Sequence, residues 1–174
     1  MSEVAAVRSD RAARIPTAGL ARLVALLLPL TLLAGAYGSQ YFGGLYPCEM
    51  CWWQRYAHFA ALVFAVPAFR FPVQSRASRT LVLLAALAIA VSGAIGVYHA
   101  GVEAKIFEGI TQCTALSKSS STADLLKQIT HAPLVRCDEV QFRFLGISMA
   151  GWNAIISLGG ASLILLLSLR GRRA

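Results

Sequence analysis

Two cysteines separated by two residues, Cys48 and Cys51, stand where a short polar stretch meets an apolar run, and Arg55 follows one helical turn later. A two-residue gap closes too small a ring to constrain much chain, so a Cys48–Cys51 disulfide adds little stability. Pairs of this kind are more often reactive than structural. Pro47 just before them suits a helix start. Cys51 then falls in the first turn, where the positive end of the helix dipole favours the thiolate. Glu49 opposes that effect with its own charge. Arg55 lies four residues beyond Cys51 and shares its helix face. A guanidinium this close to an apolar run is costly unless it has a task. One task is to stabilise negative charge on the oxygens of an electron acceptor such as a quinone. Snorkelling towards a polar interface is the purely structural alternative.

The remaining cysteines, Cys113 and Cys137, fall in a long stretch rich in polar residues. They would suit a structural disulfide closing that stretch. Zinc is a further reading, since Cys-x-x-Cys is half of many zinc sites. Its second half should be another closely spaced pair, and Cys113 and Cys137 are far apart. His99 and His131 lack ligand-pair spacing as well. The expectation is therefore no metal.

The elements that must position these groups are membrane helices. The 174 residues are 57% apolar and 14% charged, a balance that belongs to a membrane protein. Apolar runs recur near 20–38, 52–69, 81–98 and 147–169, each close to the roughly 20 residues that cross a bilayer. They are apolar all round, unlike the helices of a soluble bundle. The second run is interrupted by Arg55 and His58. Pro29 and Pro67 mark kinks or helix ends that membrane helices tolerate.

The net charge of +8 is not spread evenly. Arg8, Arg11, Arg14 and Arg22, then Arg70, Arg76 and Arg79, then Arg170, Arg172 and Arg173 lie on the side shared by both termini. The opposite side balances to zero, so the positive-inside rule makes the basic side cytoplasmic. No basic patch is interleaved with aromatics, which argues against a nucleic-acid partner. The expected architecture is an all-α, four-transmembrane-helix bundle over 20–169. It has cytoplasmic tails at 1–19 and 170–174 and outer loops at about 39–51 and 99–146. All four cysteines then lie on the outer, oxidising side. A cleavable signal peptide ending near Ala34-Gly35-Ala36 is the rival reading of the first run.

The segment Pro47-Cys48-Glu49-Met50-Cys51-Trp52-Trp53-Gln54-Arg55 resembles the Cys-x-x-Cys-x-x-[Glu/Gln]-Arg signature of the DsbB family of disulfide bond formation proteins. Tyr98-His99 at the end of the third run, Cys113 and Cys137 in the second outer loop, and Phe144-Leu145-Gly146 before the fourth run extend the likeness over residues 20–170. The resemblance implies an enzyme of the bacterial inner membrane with periplasmic cysteine loops. Its soluble partner would be a thioredoxin-like protein of the DsbA type, and its acceptor ubiquinone or menaquinone. DsbA would attack at Cys113. Electrons would pass to Cys48–Cys51 through a Cys48–Cys137 bridge, and Cys51 would reduce a quinone held near Arg55 and His99.

Competing functions are a specialised relative with a dedicated partner, a vitamin-K-epoxide-reductase-like protein, or a membrane protein with structural or metal-binding cysteines. The vitamin-K type carries its Cys-x-x-Cys late in the chain, whereas here it is early. Finer features give further expectations. Val102–Ile110 and a segment opened by Ser121-x-x-Asp124 have the spacing of short amphipathic helices. His58 is read as packing. Trp52, Trp53 and Tyr56 suit an interfacial belt, and Gly93 and Gly96 close helix contact.

Overall fold

The computed structural model describes residues 17–110 and 135–170. Four helices carry the fold: α1 Thr17–Tyr41, α2 Glu49–Ala68, α3 Arg76–Glu103 and α4 Met149–Arg170. Each apolar run of the sequence became one of them. They pack as a ring in which α3 lies along both α2 and α4, and α1 closes the gap between α4 and α2.

Three helices, α1, α3 and α4, are long and apolar enough to cross a membrane. Gln54, Arg55 and His58 depress the hydropathy of α2, yet all three are buried against the other helices. The packing is inverted relative to a soluble bundle. Ala21, Ala25, Ala61, Ala65, Ala85 and Ala161 form the interior with Ile89 and Ile164. Leu27, Val63, Leu87 and Leu166 face outward, each at least half exposed. Lipid is as apolar as leucine, so nothing drives large side chains inward, and small ones let the backbones approach.

Gly93 and Gly96 show that approach directly. A Cβ on Gly96 would stand 3.0 Å from both the Ala150 carbonyl oxygen and the Ala154 nitrogen of α4, and one on Gly93 would stand 2.8 Å from Leu158 Cγ.

The helix ends differ from the sequence expectation in ways that matter for the site. Pro47 does not open α2. Cys48 is the N-cap, with its sulfur accepting from the Cys51 backbone N–H at 3.3 Å. The first connecting loop is therefore shorter than expected, 42–48 rather than 39–51. Pro67 lies in the last turn of α2, and its carbonyl accepts from Arg70 N. Arg22 Nη1 reaches across from α1 to the carbonyls of Ala68 and Phe71 at 3.2 and 3.1 Å. A cation there satisfies the carbonyls at the negative end of α2.

Ser75 caps α3 through Ser78 N at 3.1 Å. At the other end α3 continues through His99 to Glu103. The helix expected over Val102–Ile110 does not form: Ile106 N bonds to Gly101 O at 2.8 Å and Lys105 N to Val102 O at 3.0 Å. Lys105 sits at φ 61°. This pair of bonds is the Schellman arrangement that ends a helix. The second amphipathic candidate, opened by Ser121, lies outside the described residues.

The start of the fourth run is a small hairpin rather than helix. Arg143–Phe144 pairs antiparallel with Ile147–Ser148. Leu145 and Gly146 form the turn at φ 51° and 81°, the left-handed pair that a two-residue hairpin demands.

Candidate functional site

Capping places Cys48 and Cys51 on one turn, with their sulfurs 3.0 Å apart. Cys48 is buried and Cys51 half-buried. Cys137 is fully buried in the same cluster, with Met50 and Val102, and its side chain is hydrogen-bonded to that of Cys48. Hydrogen bonds from the Cys137 and Cys51 side chains, together with burial, push the Cys48 thiol well above the usual range. Cys113 lies outside the described residues. Three of the four cysteines singled out by sequence thus meet at one point although 89 positions separate Cys48 from Cys137 in the chain.

Arg55 is 6% exposed. Its Nη1 donates to Gln40 Oε1 at 2.6 Å and its Nη2 to Ala36 O at 3.0 Å, both on α1. Its guanidinium carbon lies 4.7 Å from the centre of the Tyr37 ring and 5.0 Å from that of Trp52. Its Nε is buried without a hydrogen-bond partner. No carboxylate among the described residues pairs with it. The structure places the charge inside the bundle, so it does not snorkel.

Cys48, Cys51, Arg55 and His99 line one cavity of about 340 Å³. Leu32 and Leu33 of α1 and Met149 and Ile156 of α4 supply apolar wall. The volume suits a small organic molecule, and a mostly apolar wall with a few convergent polar groups is the usual make-up of such a site. Trp152 also lines it, and its Nε1 donates to Phe144 O at 3.0 Å.

A buried polar network backs this cavity. Gln54 Nε2 lies 3.0 Å from His99 Nδ1 and 3.1 Å from Met50 O. Asn153 Nδ2 donates to Gln54 Oε1 at 2.8 Å. Asn153 Oδ1 lies 3.0 Å from His58 Nε2 and accepts from Ser157 Oγ at 3.1 Å. Ser92 Oγ donates to Gln54 O at 3.1 Å. His58 is therefore not simple packing; it is tied to α3 and α4. Sequence reasoning missed Asn153 and Ser92. A polar amide inside an apolar run was the available signal for Asn153, whereas a lone serine gave none.

His99 Nε2 lies 3.6 Å from Cys48 Sγ and 3.8 Å from Glu103 Oε1. The two sulfurs and a ring nitrogen of His99 are within 4.8 Å of one another, so His99 approaches the pair despite its remote position in sequence.

The loop that carries Cys137 is anchored on both sides. Lys105 Nζ donates to Asp138 Oδ2 at 2.6 Å and to its carbonyl at 2.9 Å. Arg136 grips the same carboxylate at 2.9 and 2.8 Å. These bonds, Arg136 first and Lys105 second, hold the Asp138 carboxyl well below the usual carboxylate range. Gln141 Nε2 donates to Tyr46 O at 2.8 Å and joins this loop to the one before Cys48.

Comparison with known proteins finds relatives in one family. The family model described as disulfide bond formation protein DsbB matches residues 18–167. A disulfide bond formation protein B of Methylococcus capsulatus is 33% identical over 158 residues, covering 87% of this chain and 94% of the relative. One from Xanthomonas oryzae pv. oryzae is 29% identical over 158 residues, covering 87% and 91%. No solved structure matches.

Proposed function

Because this chain belongs to the DsbB family of disulfide bond formation proteins, which are membrane proteins, we propose that it is a quinone-dependent thiol oxidase of the bacterial inner membrane. Its cysteine loops face the periplasm and both termini the cytoplasm. It reoxidises a soluble thioredoxin-like dithiol protein of the DsbA type. The observation that carries this reading is the cavity walled jointly by Cys51 and by Arg55, a buried cation with no carboxylate partner among the described residues.

The relay balances in thiol–disulfide steps. A partner thiolate attacks Cys113 of a Cys113–Cys137 disulfide and releases Cys137 as thiolate; the partner's second thiol then displaces Cys113 and leaves the partner oxidised. Cys137 attacks Cys48 of the Cys48–Cys51 disulfide and releases Cys51 as thiolate. Cys113 closes back onto Cys137, and Cys48 leaves with the electron pair. The quinone accepts two electrons and two protons from the Cys48/Cys51 pair and departs as quinol. The contact between Cys48 and Cys137 side chains supports the bridging step.

Arg55 supplies charge where the acceptor's oxygens become negative, and the apolar wall from α1 and α4 keeps water away. His99 lines the same cavity beside Cys48. No metal is needed in any step.

The test compares two variants with the parent in purified form. Cys51→Ser abolishes quinone reduction by the reduced partner. Arg55→Ala raises the KM for quinone by about tenfold or more, the loss expected for a hydrogen bond to a charged group. It leaves mixed-disulfide formation at Cys113 unchanged. Equal loss of both activities in Arg55→Ala would make Arg55 a structural residue.

A further inference from the structure

We infer that Gln54 and Asn153 are positioning residues that fix the proton of His99 on Nε2, so that the imidazole donates a hydrogen bond to the Cys48 sulfur. This rests on the thiol-oxidase reading for its consequence but not for its geometry.

The direction of the network follows from the groups that have no choice. The Met50 carbonyl can only accept, so the Gln54 group 3.1 Å from it is the amide nitrogen. The same nitrogen faces His99 Nδ1 at 3.0 Å with its second hydrogen. Nδ1 must then accept and carries no proton. The opposite end of the Gln54 amide agrees, since Gln54 Oε1 accepts from Asn153 Nδ2 at 2.8 Å. Asn153 is held in turn, because its Oδ1 accepts from Ser157 Oγ and its Nδ2 also reaches the Ser92 carbonyl at 3.2 Å. Reversing either amide would set oxygen against oxygen at Met50 or at Ser92. In a neutral imidazole whose Nδ1 accepts, Nε2 is the donor.

The surroundings of Nε2 fit a donor. Cys48 Sγ lies 3.6 Å away and the Glu103 carboxylate 3.8 Å away. The Cys137 backbone also hydrogen-bonds the ring. The same proton placement excludes His99 as the third ligand of a metal held by Cys48 and Cys51. A ligating histidine presents a lone pair to the metal and donates its other N–H outward, and here both directions are reversed.

The consequence falls on the step in which Cys48 leaves the Cys48–Cys137 bridge. The S–S bond breaks, the electron pair goes to Cys48, and the sulfur is a buried anion with two other sulfurs close by. The His99 N–H is the donor that meets it. Charge-assisted hydrogen bonds of this kind are the stronger ones. The family signature allows glutamate at the Gln54 position. A carboxylate there would accept rather than donate, draw a proton onto Nδ1, and make His99 cationic. This chain, with glutamine, keeps the imidazole neutral. Among the described residues, the titratable groups nearest the ring are Cys48 and Cys51 at the start of α2, Glu103 on α3, and Cys137; Arg55, His58, Arg136 and Glu139 line the same cavity, whose α4 wall carries the uncharged Asn153.

The proton position is read by ¹⁵N NMR of the full chain in detergent micelles with labelled histidine. The sequence has three histidines, and His99→Ala identifies the signals that belong to position 99. At pH 7 His99 shows a protonated Nε2 and an unprotonated Nδ1. In Gln54→Glu both nitrogens are protonated. A His99 with its proton on Nδ1 alone in the parent, or one that Gln54→Glu leaves unchanged, overturns the inference. A second readout is alkylation of Cys48 in a Cys51→Ser, Cys113→Ser, Cys137→Ser background. Gln54→Ala moves the pH midpoint upward and slows alkylation at neutral pH by about tenfold; an unmoved midpoint overturns it. Neither measurement uses quinone or a partner protein, so they fail separately from the oxidase reading.

Discussion

At the scale of single residues, the proposed sulfur relay is held together by neighbours that are themselves not sulfurs. Asp138 is the plainest case. It adjoins Cys137 and is gripped by Arg136 and Lys105, so it sets where the loop cysteine sits relative to Cys48. Its folded-state pKa is depressed. The stabilisation is therefore complete above the ordinary carboxylate pKa of about 3.9 and is lost only as pH falls further, through the lower folded value. The clasp stays closed from neutral pH down through about pH 4. Asp138→Asn opens it at every pH and slows formation of the Cys48–Cys137 bridge several-fold. Trapping that bridge in a Cys51→Ser background measures the rate. An unchanged rate would mean that the bundle alone positions Cys137. The sequence made Cys48, Cys51 and Arg55 legible because their relation is local: one cap, one turn, one helix face. Gln54, His58, Ser92 and Asn153 were not legible as a set, since their bonds span 34 to 99 positions. Only the packing of three helices brings them together.

At the scale of elements, the ends of helices carry more of the site than their middles. Cys48 caps α2, and the Schellman ending of α3 after Glu103 turns Lys105 towards Asp138. The sequence pattern over Val102–Ile110 has helical spacing, yet α3 ends inside it. Gly101 explains part of this: a Cβ there would collide with the Phe107 ring, which folds back and stacks on Tyr98 at 5.4 Å. The helix-to-helix spacing of α3 and α4 depends on Gly96, which has backbone rather than a flexible side chain against it. Gly96→Val forces the two helices apart and costs about 1–3 kcal/mol, the usual price of overpacking. The loss appears as a lower unfolding midpoint in detergent. Asn153 lies on the same contact, so the variant also disturbs the proton placement on His99. An unchanged midpoint would show that α4 can shift freely, and the polar network would then not be a rigid support.

At the scale of the whole molecule, the ring of four helices turns its small residues inward and its leucines outward, and it gathers its polar groups into one layer behind one cavity. The apolar runs made the helix count readable from sequence, and Gly93 and Gly96 were rightly assigned to close contact. α2 is harder to read as a span, because Gln54, Arg55 and His58, which lower its hydropathy, also line the cavity. In the proposed relay, electrons from a soluble dithiol leave through Cys51 to a quinone beside Arg55. The most direct measurement mixes the purified full chain with a reduced thioredoxin-like partner and a ubiquinone analogue, and follows quinone absorbance together with partner thiols. The expected result is one quinol formed per partner disulfide, with turnover that Cys51→Ser abolishes. No quinone loss with all four cysteines intact, or loss that continues in Cys51→Ser, would contradict it.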